Sequence, residues 1–193
     1  MRHRSRAEFP GRFPCHLTLK VRAGLPSLRR LGVVREVMQS FASGADRGSF
    51  RLLEFSLQSD HLHAIVEAEG REALGRGMKS LAARFARAVN RALGRSGTVL
   101  RERYHLHVLR TAREVRNALC YVLTNARRHL AKLGRALPGG ARIDPASSGA
   151  WFQGWRPEVS RPESTGPPPV ARATSWLVRV GWRRYGLLDP AEV

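Results

Sequence analysis

The chain has 193 residues, enough for one well-packed domain with an appendage, because single domains commonly run about 100–150 residues. It carries 34 Lys and Arg against 15 Asp and Glu, a net charge of +19 that predicts a polyanionic partner, foremost nucleic acid. The sequence has no stretch of about 18 apolar residues, and no apolar leader segment follows its first charges. We therefore expect a cytoplasmic protein without a membrane partner. Composition alone leaves two alternatives open, an arginine-rich codon bias and an anionic membrane surface.

The first predicted elements are a basic arm (residues 1–11), a strand and a helix. Alternating side chains predict a strand over 15–21, and Cys15 and the distant Cys120 are expected to be reduced, buried thiols. From Ser27 to Phe41 apolar residues recur at helical spacing, with Ser27 as the expected N-cap.

A hairpin and a second helix come next. Two alternating segments, 50–57 and 61–68, are joined by a short polar connection, which predicts an antiparallel pair. The following helix has an apolar stripe from Leu74 to Ala92 and ends at Gly94 and Gly97. Another face of that helix carries Arg84, Arg87, Arg91 and Arg95.

A last strand over 104–109 and a third helix complete the main domain. The helix is expected to start near Thr111, with Glu114 placed for a capping box. The element order strand, helix, strand, strand, helix, strand, helix predicts an α+β fold, a ferredoxin-like antiparallel sheet with helices. We therefore divide the chain into the arm, a domain over 12–133 and a tail over 134–193.

The tail has a different composition from the domain. Residues 156–169 are rich in Pro, Glu and Ser, which is typical of a flexible linker. A short basic amphipathic helix is predicted over 175–188. All four tryptophans lie in the tail, namely Trp151, Trp155, Trp176 and Trp182.

A histidine pair is the first candidate for chemistry. His61 and His63 are two apart on a predicted strand, so both side chains project from one face and form half of a site for a divalent metal. The alternative is a pair of half-exposed histidines without a ligand. A second pair, His105 and His107, shows how easily the pattern arises, and with Glu102 it would define a less complete metal hydrolase site.

The third helix offers a tyrosine near these histidines. Tyr121 and Asn125 are four residues apart and hence neighbours on one helix face, on a polar side shared with Asn117, Thr124 and Arg128. Such a tyrosine is equally compatible with a place at the edge of the core, where its hydroxyl would find a hydrogen-bond partner.

Three stretches of this sequence resemble the REP-associated tyrosine transposases, a branch of the single-tyrosine HUH endonucleases. They are "FSLQSDHLHAIVEA", "RERYH" and "EVRNALCYVLTNARRH", in this order and within residues 12–132. The resemblance implies an HUH-type fold in which His61, His63 and Asn125 bind Mg²⁺ or Mn²⁺ and Tyr121 is the nucleophile. It departs from the family at Asp60, where asparagine is frequent, and at Ala126, where proline is frequent; we expect neither to touch a proposed catalytic side chain.

The resemblance further implies cleavage and rejoining of single-stranded or hairpin DNA through a 5′-phosphotyrosine, and it makes a homodimer plausible. A catalytically idle DNA-binding descendant is the alternative. We expect the aromatic residues Tyr104, Trp151 and Trp155 either to stack on bases or to clamp the tail onto the domain. Candidate contacts to the DNA backbone, which could also form only a solvated face, are Arg84, Arg87, Arg91, Arg95, Arg101, Arg103 and Arg128, joined by Tyr104.

Overall fold

A computed structural model describes residue 11 and residues 13–164 and 166–192, so the predicted arm lies almost wholly outside the described residues. The predicted element order is confirmed. The elements are β1 (Cys15–Lys20), α1 (Leu31–Ala42), β2 (Phe50–Leu57), β3 (His61–Ala68), α2 (Arg71–Ala92), β4 (His105–Val108), α3 (Ala112–Lys132) and the short α4 (Trp176–Arg179).

The strands form a four-stranded sheet in the order β2-β3-β1-β4, and every neighbouring pair is antiparallel. Because β1 and β3 are central, this is the ferredoxin-like arrangement, and the predicted α+β fold class is confirmed. In the register of β1, Thr18 lies opposite His63 of β3, and His16 lies opposite His107 of β4. The polar residues of three strands therefore share one face of the sheet.

Helices α1 and α2 cover the other face with an apolar core. Leu17 of β1 and Ala64 of β3 point into this layer, where the Phe41 and Phe55 rings meet edge to face at 5.0 Å and Phe85 is fully buried. Burying each large side chain contributes about 1.5–3 kcal/mol, so this layer supplies much of the stability.

Helix α3 packs on the histidine-bearing face. Its predicted capping box is confirmed: the Glu114 amide donates to Thr111 Oγ1 at 3.1 Å, and the Thr111 amide donates to Glu114 Oε2 at 3.0 Å. Val115 and Leu119 of α3 then join Ile65 of β3 in a second apolar cluster. The cap sets where the helix begins, and the cluster fixes the helix on the sheet.

The predicted start of α1 at Ser27 is wrong. The helix begins at Leu31, and its N-cap, Arg30, makes no side-chain cap hydrogen bond. The Leu28 amide donates instead to the Ser59 carbonyl at 2.9 Å, and Leu28 is buried, so tertiary contacts hold residues 27–30 in a turn. The apolar periodicity in the sequence therefore begins before the helix itself begins.

The tail packs against α3 through aromatic side chains. Trp182 is 1% exposed and stacks on Phe152 with ring centroids 5.7 Å apart, while buried Trp155 donates to the Gly149 carbonyl at 2.8 Å. The clamp interpretation is therefore confirmed for Trp155. A bidentate ion pair between Arg29 and Asp144, at 2.7 and 2.9 Å, also ties the tail to the domain. The boundary at 133/134 stays a prediction.

The single predicted helix over 175–188 is wrong. Two short segments stand there, α4 and a 3₁₀ helix at Gly181–Tyr185, separated at Val180. The Trp176 ring lies so close to Gly181 that a Cβ at that position would come within 2.5 Å of it. The apolar pattern does not encode this close packing beside the interruption. Among the described residues, no helix is both long and apolar enough to span a bilayer.

Candidate active site

His61 and His63 project from β3 toward α3, as their spacing predicts. Their Nε2 atoms lie 2.9 Å apart, and the two rings are edge to face with centroids 4.6 Å apart. His63 is 5% exposed, whereas His61 is more accessible. The two nitrogens thus converge on one point at the protein surface.

The ring of His63 is held by β1. Its Nδ1 lies 3.1 Å from Thr18 Oγ1 and 3.2 Å from His16 Nε2. Donation from Nδ1–H to the Thr18 hydroxyl selects the tautomer in which Nε2 keeps its lone pair. Neither Thr18 nor His16 was predicted as a site residue; the alternation of β1 places them on the polar face, but their contact depends on strand register.

Both buried imidazoles are neutral near pH 7. Burial lowers the pKa of His63 to about 3, and the neighbouring His61, His16 and His129 lower it further. Burial likewise lowers the pKa of His16 to about 4, with a smaller contribution from His107. A neutral imidazole is the form that binds a metal, so this environment keeps the lone pair available.

Asp60 contacts a proposed ligand, contrary to our expectation. Its Oδ1 lies 2.7 Å from His61 Nδ1, and this hydrogen bond lowers the pKa of the Asp60 carboxyl. A carboxylate that accepts from Nδ1–H orients the ring and leaves Nε2 free. The departure from asparagine at this position therefore keeps an acceptor for His61. The contact between Asp60 and His61 was missed because neighbouring residues on a strand usually face opposite sides of the sheet. Asp60, however, belongs to the turn that precedes β3.

Tyr121 reaches the histidines from α3. Its Oη lies 3.5 Å from His63 Nε2, the rings are 5.0 Å apart and edge to face, and the residue is 36% exposed. The hydroxyl is therefore both beside the histidine pair and open to a substrate. Because all these residues belong to one chain, the site is assembled without a second copy.

Asn125 lies one turn after Tyr121 on the same helix. It is 2% exposed, and its Nδ2 has no hydrogen-bond partner among the described residues. A buried polar group without a partner costs about 1–3 kcal/mol. Nδ2 is a hydrogen-bond donor and does not bind a cation, so a metal-ligand role would fall to Oδ1 of the same amide.

The donor set fits a divalent metal. Two imidazoles and an amide oxygen can provide three ligands, and exposed space beside Tyr121 leaves positions for a phosphate. Within the described part of the chain, no group of three His, Cys, Asp or Glu side chains is arranged to hold a metal ion. A metal site here consequently depends on Asn125 as the third ligand.

The structure separates the predicted DNA contacts into groups. Arg128 lines a cleft of about 560 Å³ together with Tyr121, Asn117 and Arg116. Arg101 and Arg103 are exposed before β4, and Tyr104 packs partly against the α1/α2 core. Helix α2 covers the opposite face of the sheet from Tyr121. It carries Arg84, Arg87 and Arg91, and Arg95 follows just after the helix ends at Ala92.

Comparison with known proteins identifies the fold. No protein-family model and no curated protein matches the chain. Its structure is similar to that of a REP-associated tyrosine transposase bound to a REP hairpin, at 16% identity and a TM-score of 0.57, with 91% of this chain and all (100%) of that chain covered. The chain thus has the ferredoxin-like α+β fold of that transposase structure, and the resemblance to REP-associated tyrosine transposases is confirmed at the level of the fold.

Two further solved structures are more distant. A putative transposase from Deinococcus radiodurans R1 is 13% identical with a TM-score of 0.43, over 70% of this chain and 98% of that one. A bacterial tRNA(His) guanylyltransferase-like protein in complex with GTP is 12% identical with a TM-score of 0.47, over 67% and 69% of the two chains. Neither bears on the function of this chain.

Proposed function

We propose that this protein is a metal-dependent, single-tyrosine DNA endonuclease and strand transferase of the transposase kind. The observation that carries the proposal is the placement of Tyr121 Oη 3.5 Å from His63 Nε2, which itself lies 2.9 Å from His61 Nε2. A tyrosine hydroxyl from one helix and two imidazoles from one strand meet at an accessible edge, and Asn125 lies one turn further along the same helix.

Tyr121 is the proposed nucleophile. Its oxygen forms a bond to the scissile phosphorus while the bond from phosphorus to the 3′ oxygen breaks. The phenolic proton leaves to water, and the departing 3′ oxygen takes up a proton, so the products are a 5′-phosphotyrosine and a free 3′-OH. Since one phosphodiester replaces another, a 3′-OH can reverse the attack and join a new strand without ATP.

The surrounding residues supply orientation and charge. His61, His63 and Asn125 would hold Mg²⁺ or Mn²⁺, and the bound ion would polarise the phosphate and stabilise charge on the phenolic oxygen. Asp60 and Thr18 orient the two rings through their Nδ1 atoms. On the other side of Tyr121, Arg128 and Arg116 line the cleft where the strand would lie.

Single-stranded or hairpin DNA is the proposed substrate. The net charge of +19 suits a polyanion. The transposase with the same fold was solved bound to a REP hairpin, which supports a hairpin as the DNA form to test. Mobilisation of repeated palindromic elements would follow from cutting and joining at such hairpins.

Covalent trapping tests the proposal. The protein is incubated with labelled single-stranded and hairpin oligonucleotides from its genomic flanks and Mn²⁺, then run on denaturing gels. We expect an SDS-resistant labelled band that is lost in Tyr121→Phe and with EDTA. Tyr185→Phe is the matched control, because Tyr185 is a 41% exposed tyrosine in the tail and should leave the band intact.

The opposite result would identify the idle descendant. If wild-type protein binds the same DNA tightly without metal and forms no adduct at any Mn²⁺ concentration, the enzymatic assignment is wrong. A band that persists in Tyr121→Phe and disappears in Tyr185→Phe would move the nucleophile to the tail.

A further inference from the structure

A polar cleft of about 370 Å³ lies between α1 and α2, on the face of the sheet opposite Tyr121. It is separate from the candidate active site, because α3 and the histidines occupy the other face. Most of its lining is arginine or serine, and the residues are Gln39, Ser40, Ser43, Arg47, Ser80, Arg84, Arg87 and Arg91.

The cleft concentrates positive charge without an equal number of carboxylates. Arg91 is paired with Glu36 through a 3.0 Å contact at the rim. Within residues 13–164 and 166–192, no carboxylate lies within ion-pair distance of Arg47, Arg84 or Arg87. Burial lowers the pKa of Arg84, and the charges of Arg47 and Arg87 lower it further. Three guanidinium groups thus repel one another here, which an anion would relieve.

Arg84 is fixed at the floor of the cleft. Its Nη2 donates to Ser43 Oγ at 2.6 Å, and Ser40 Oγ donates to the Arg84 carbonyl at 3.3 Å. Its Nε and Nη1 are inaccessible and have no hydrogen-bond partner in the described structure. A Cβ at Gly44 would come within 1.5 Å of Arg84 Nη1, so the absence of a side chain there makes room for the guanidinium. Burying unsatisfied charged donors is costly.

We propose that this cleft binds a backbone phosphate of DNA, distinct from the phosphate attacked by Tyr121. The arginine fork matches phosphate oxygens, and the hydroxyls of Ser40, Ser43 and Ser80 add short polar contacts around the same space. The identity of the ligand as DNA rests on the proposed function. The cleft itself rests only on its geometry and charge.

The arrangement along α2 favours a polymer over free inorganic phosphate. Arg87 and Arg91 also line an adjoining cleft with Arg95, so the arginines form one continuous row. From Arg84 to Arg91 the helix rises about 10 Å, which corresponds to about three phosphates along one strand of a duplex. Arg95 extends the row beyond the end of the helix. A hairpin stem on this face, with its single-stranded end reaching Tyr121 on the other, would engage both sites at once.

Binding of a labelled hairpin with a single-stranded extension tests the cleft, using full-length protein at several salt concentrations. The variants are Arg84→Gln and the double variant Arg47→Ala/Arg87→Ala, whose side chains are exposed and whose loss leaves the core intact. The control is Arg76→Ala, an exposed arginine of α2 outside the cleft. We expect roughly tenfold weaker binding for each cleft variant, a salt slope lower by about 0.9 per lost contact, and little change for the control.

Adduct formation at saturating DNA separates this proposal from the proposed function. If the cleft variants bind weakly but still form the Tyr121 adduct, both proposals stand. If no protein forms an adduct and the cleft variants still bind DNA more weakly than Arg76→Ala, the cleft stands and the enzymatic proposal fails. If the cleft variants bind DNA as Arg76→Ala does, the DNA assignment is overturned.

Inorganic phosphate provides the second arm. Thermal unfolding of wild-type protein and Arg84→Gln is compared in phosphate and in chloride at equal ionic strength. Stabilisation by phosphate that Arg84→Gln lacks, together with unchanged DNA affinity in the cleft variants, would assign the cleft to free phosphate and overturn the DNA assignment. No difference in either arm would leave the cleft a solvated charged surface and overturn the site altogether.

Discussion

The two faces of the sheet are built from the same strands, yet they differ in what they carry. On one face, Leu17, Leu62 and Ala64 are almost fully buried under α1 and α2. One residue further along each strand, Thr18 and His63 face α3 and contact each other. Strand alternation thus lets one segment serve a dry core and a chemical site at once.

The α3 face keeps polar groups that the α1/α2 face excludes from its core. Asn125 has an unpaired amide nitrogen, and Glu54 is buried against Ser148, whose hydroxyl donates to it at 2.5 Å. Such groups reduce the free energy of unfolding when they are unpaired or charged. We conclude that the apolar face contributes most of the stability, while the α3 face carries buried polar groups at a cost in stability.

The largest effect should come from the apolar face. Phe85→Ala removes a fully buried ring that lies 6.5 Å from Phe41, between centroids. We expect the free energy of unfolding to fall by about 3–5 kcal/mol, measured by urea denaturation. Below its melting temperature, the variant should still form the Tyr121 adduct, because the site lies on the other face. Loss of the adduct in folded protein would show that the two faces are coupled.

Glu54 gives a pH-dependent test of the α3 face. Burial raises the pKa of its carboxyl to about 8, against an opposing effect of the Ser148 hydrogen bond. The folded state therefore favours the protonated form, so stability is fully present below the ordinary carboxyl pKa and is lost as pH rises through 8. Glu54→Gln should remove a destabilisation of a few kcal/mol at pH 8.5 and change little at pH 4.5.

Thermal unfolding from pH 4.5 to 8.5 measures this difference. Glu69→Gln is the control, because Glu69 is an exposed carboxylate. His16 and His63, whose pKa values burial lowers, act in the opposite direction by stabilising the fold as pH rises toward neutrality. They are common to all three proteins, so only the comparison between variants reports on Glu54. Equal pH profiles for wild type and Glu54→Gln would show that the carboxyl ionises without penalty.

Local patterns in the sequence predicted most of the fold. Alternation located the hairpin at 50–57 and 61–68 with the bounds that the structure has, and the Thr111 capping box located the start of α3. Elements shaped by distant contacts were predicted less well. The Leu28 amide donates to the Ser59 carbonyl before α1 begins, and the Trp176 ring lies against Gly181 just after the tail helix is interrupted at Val180. Neither contact can be read from spacing.

The same distinction applies to the candidate site. Spacing along one strand and one helix placed His61 and His63 on one face and Tyr121 and Asn125 on another, and the fold brought His63 and Tyr121 together. The groups that orient the histidines were missed, because Thr18 depends on strand register and Asp60 on the shape of a turn. The separation of the α2 arginines from Tyr121 by the thickness of the sheet could not be predicted without the packing of the helices.

The smallest change in stability should come from Asn125→Leu, which separates the ligand role of the amide from its structural cost. Leucine has the branched shape and the same number of side-chain heavy atoms as asparagine but no polar group, so removing the unpaired Nδ2 should raise the free energy of unfolding by about 1 kcal/mol. Mn²⁺ affinity, measured by calorimetry, should fall by at least tenfold, and the Tyr121 adduct should weaken in parallel.

Thr124→Val is the matched control for this substitution. Thr124 is also fully buried on α3, but its hydroxyl is satisfied by the Cys120 carbonyl at 2.7 Å. Removing that hydroxyl should leave Mn²⁺ affinity unchanged and give no gain in stability. If Asn125→Leu instead lost stability and kept its Mn²⁺ affinity, the amide would be a structural group of α3. The metal would then depend on the two histidines alone, and the α3 face would hold its nucleophile without contributing a ligand.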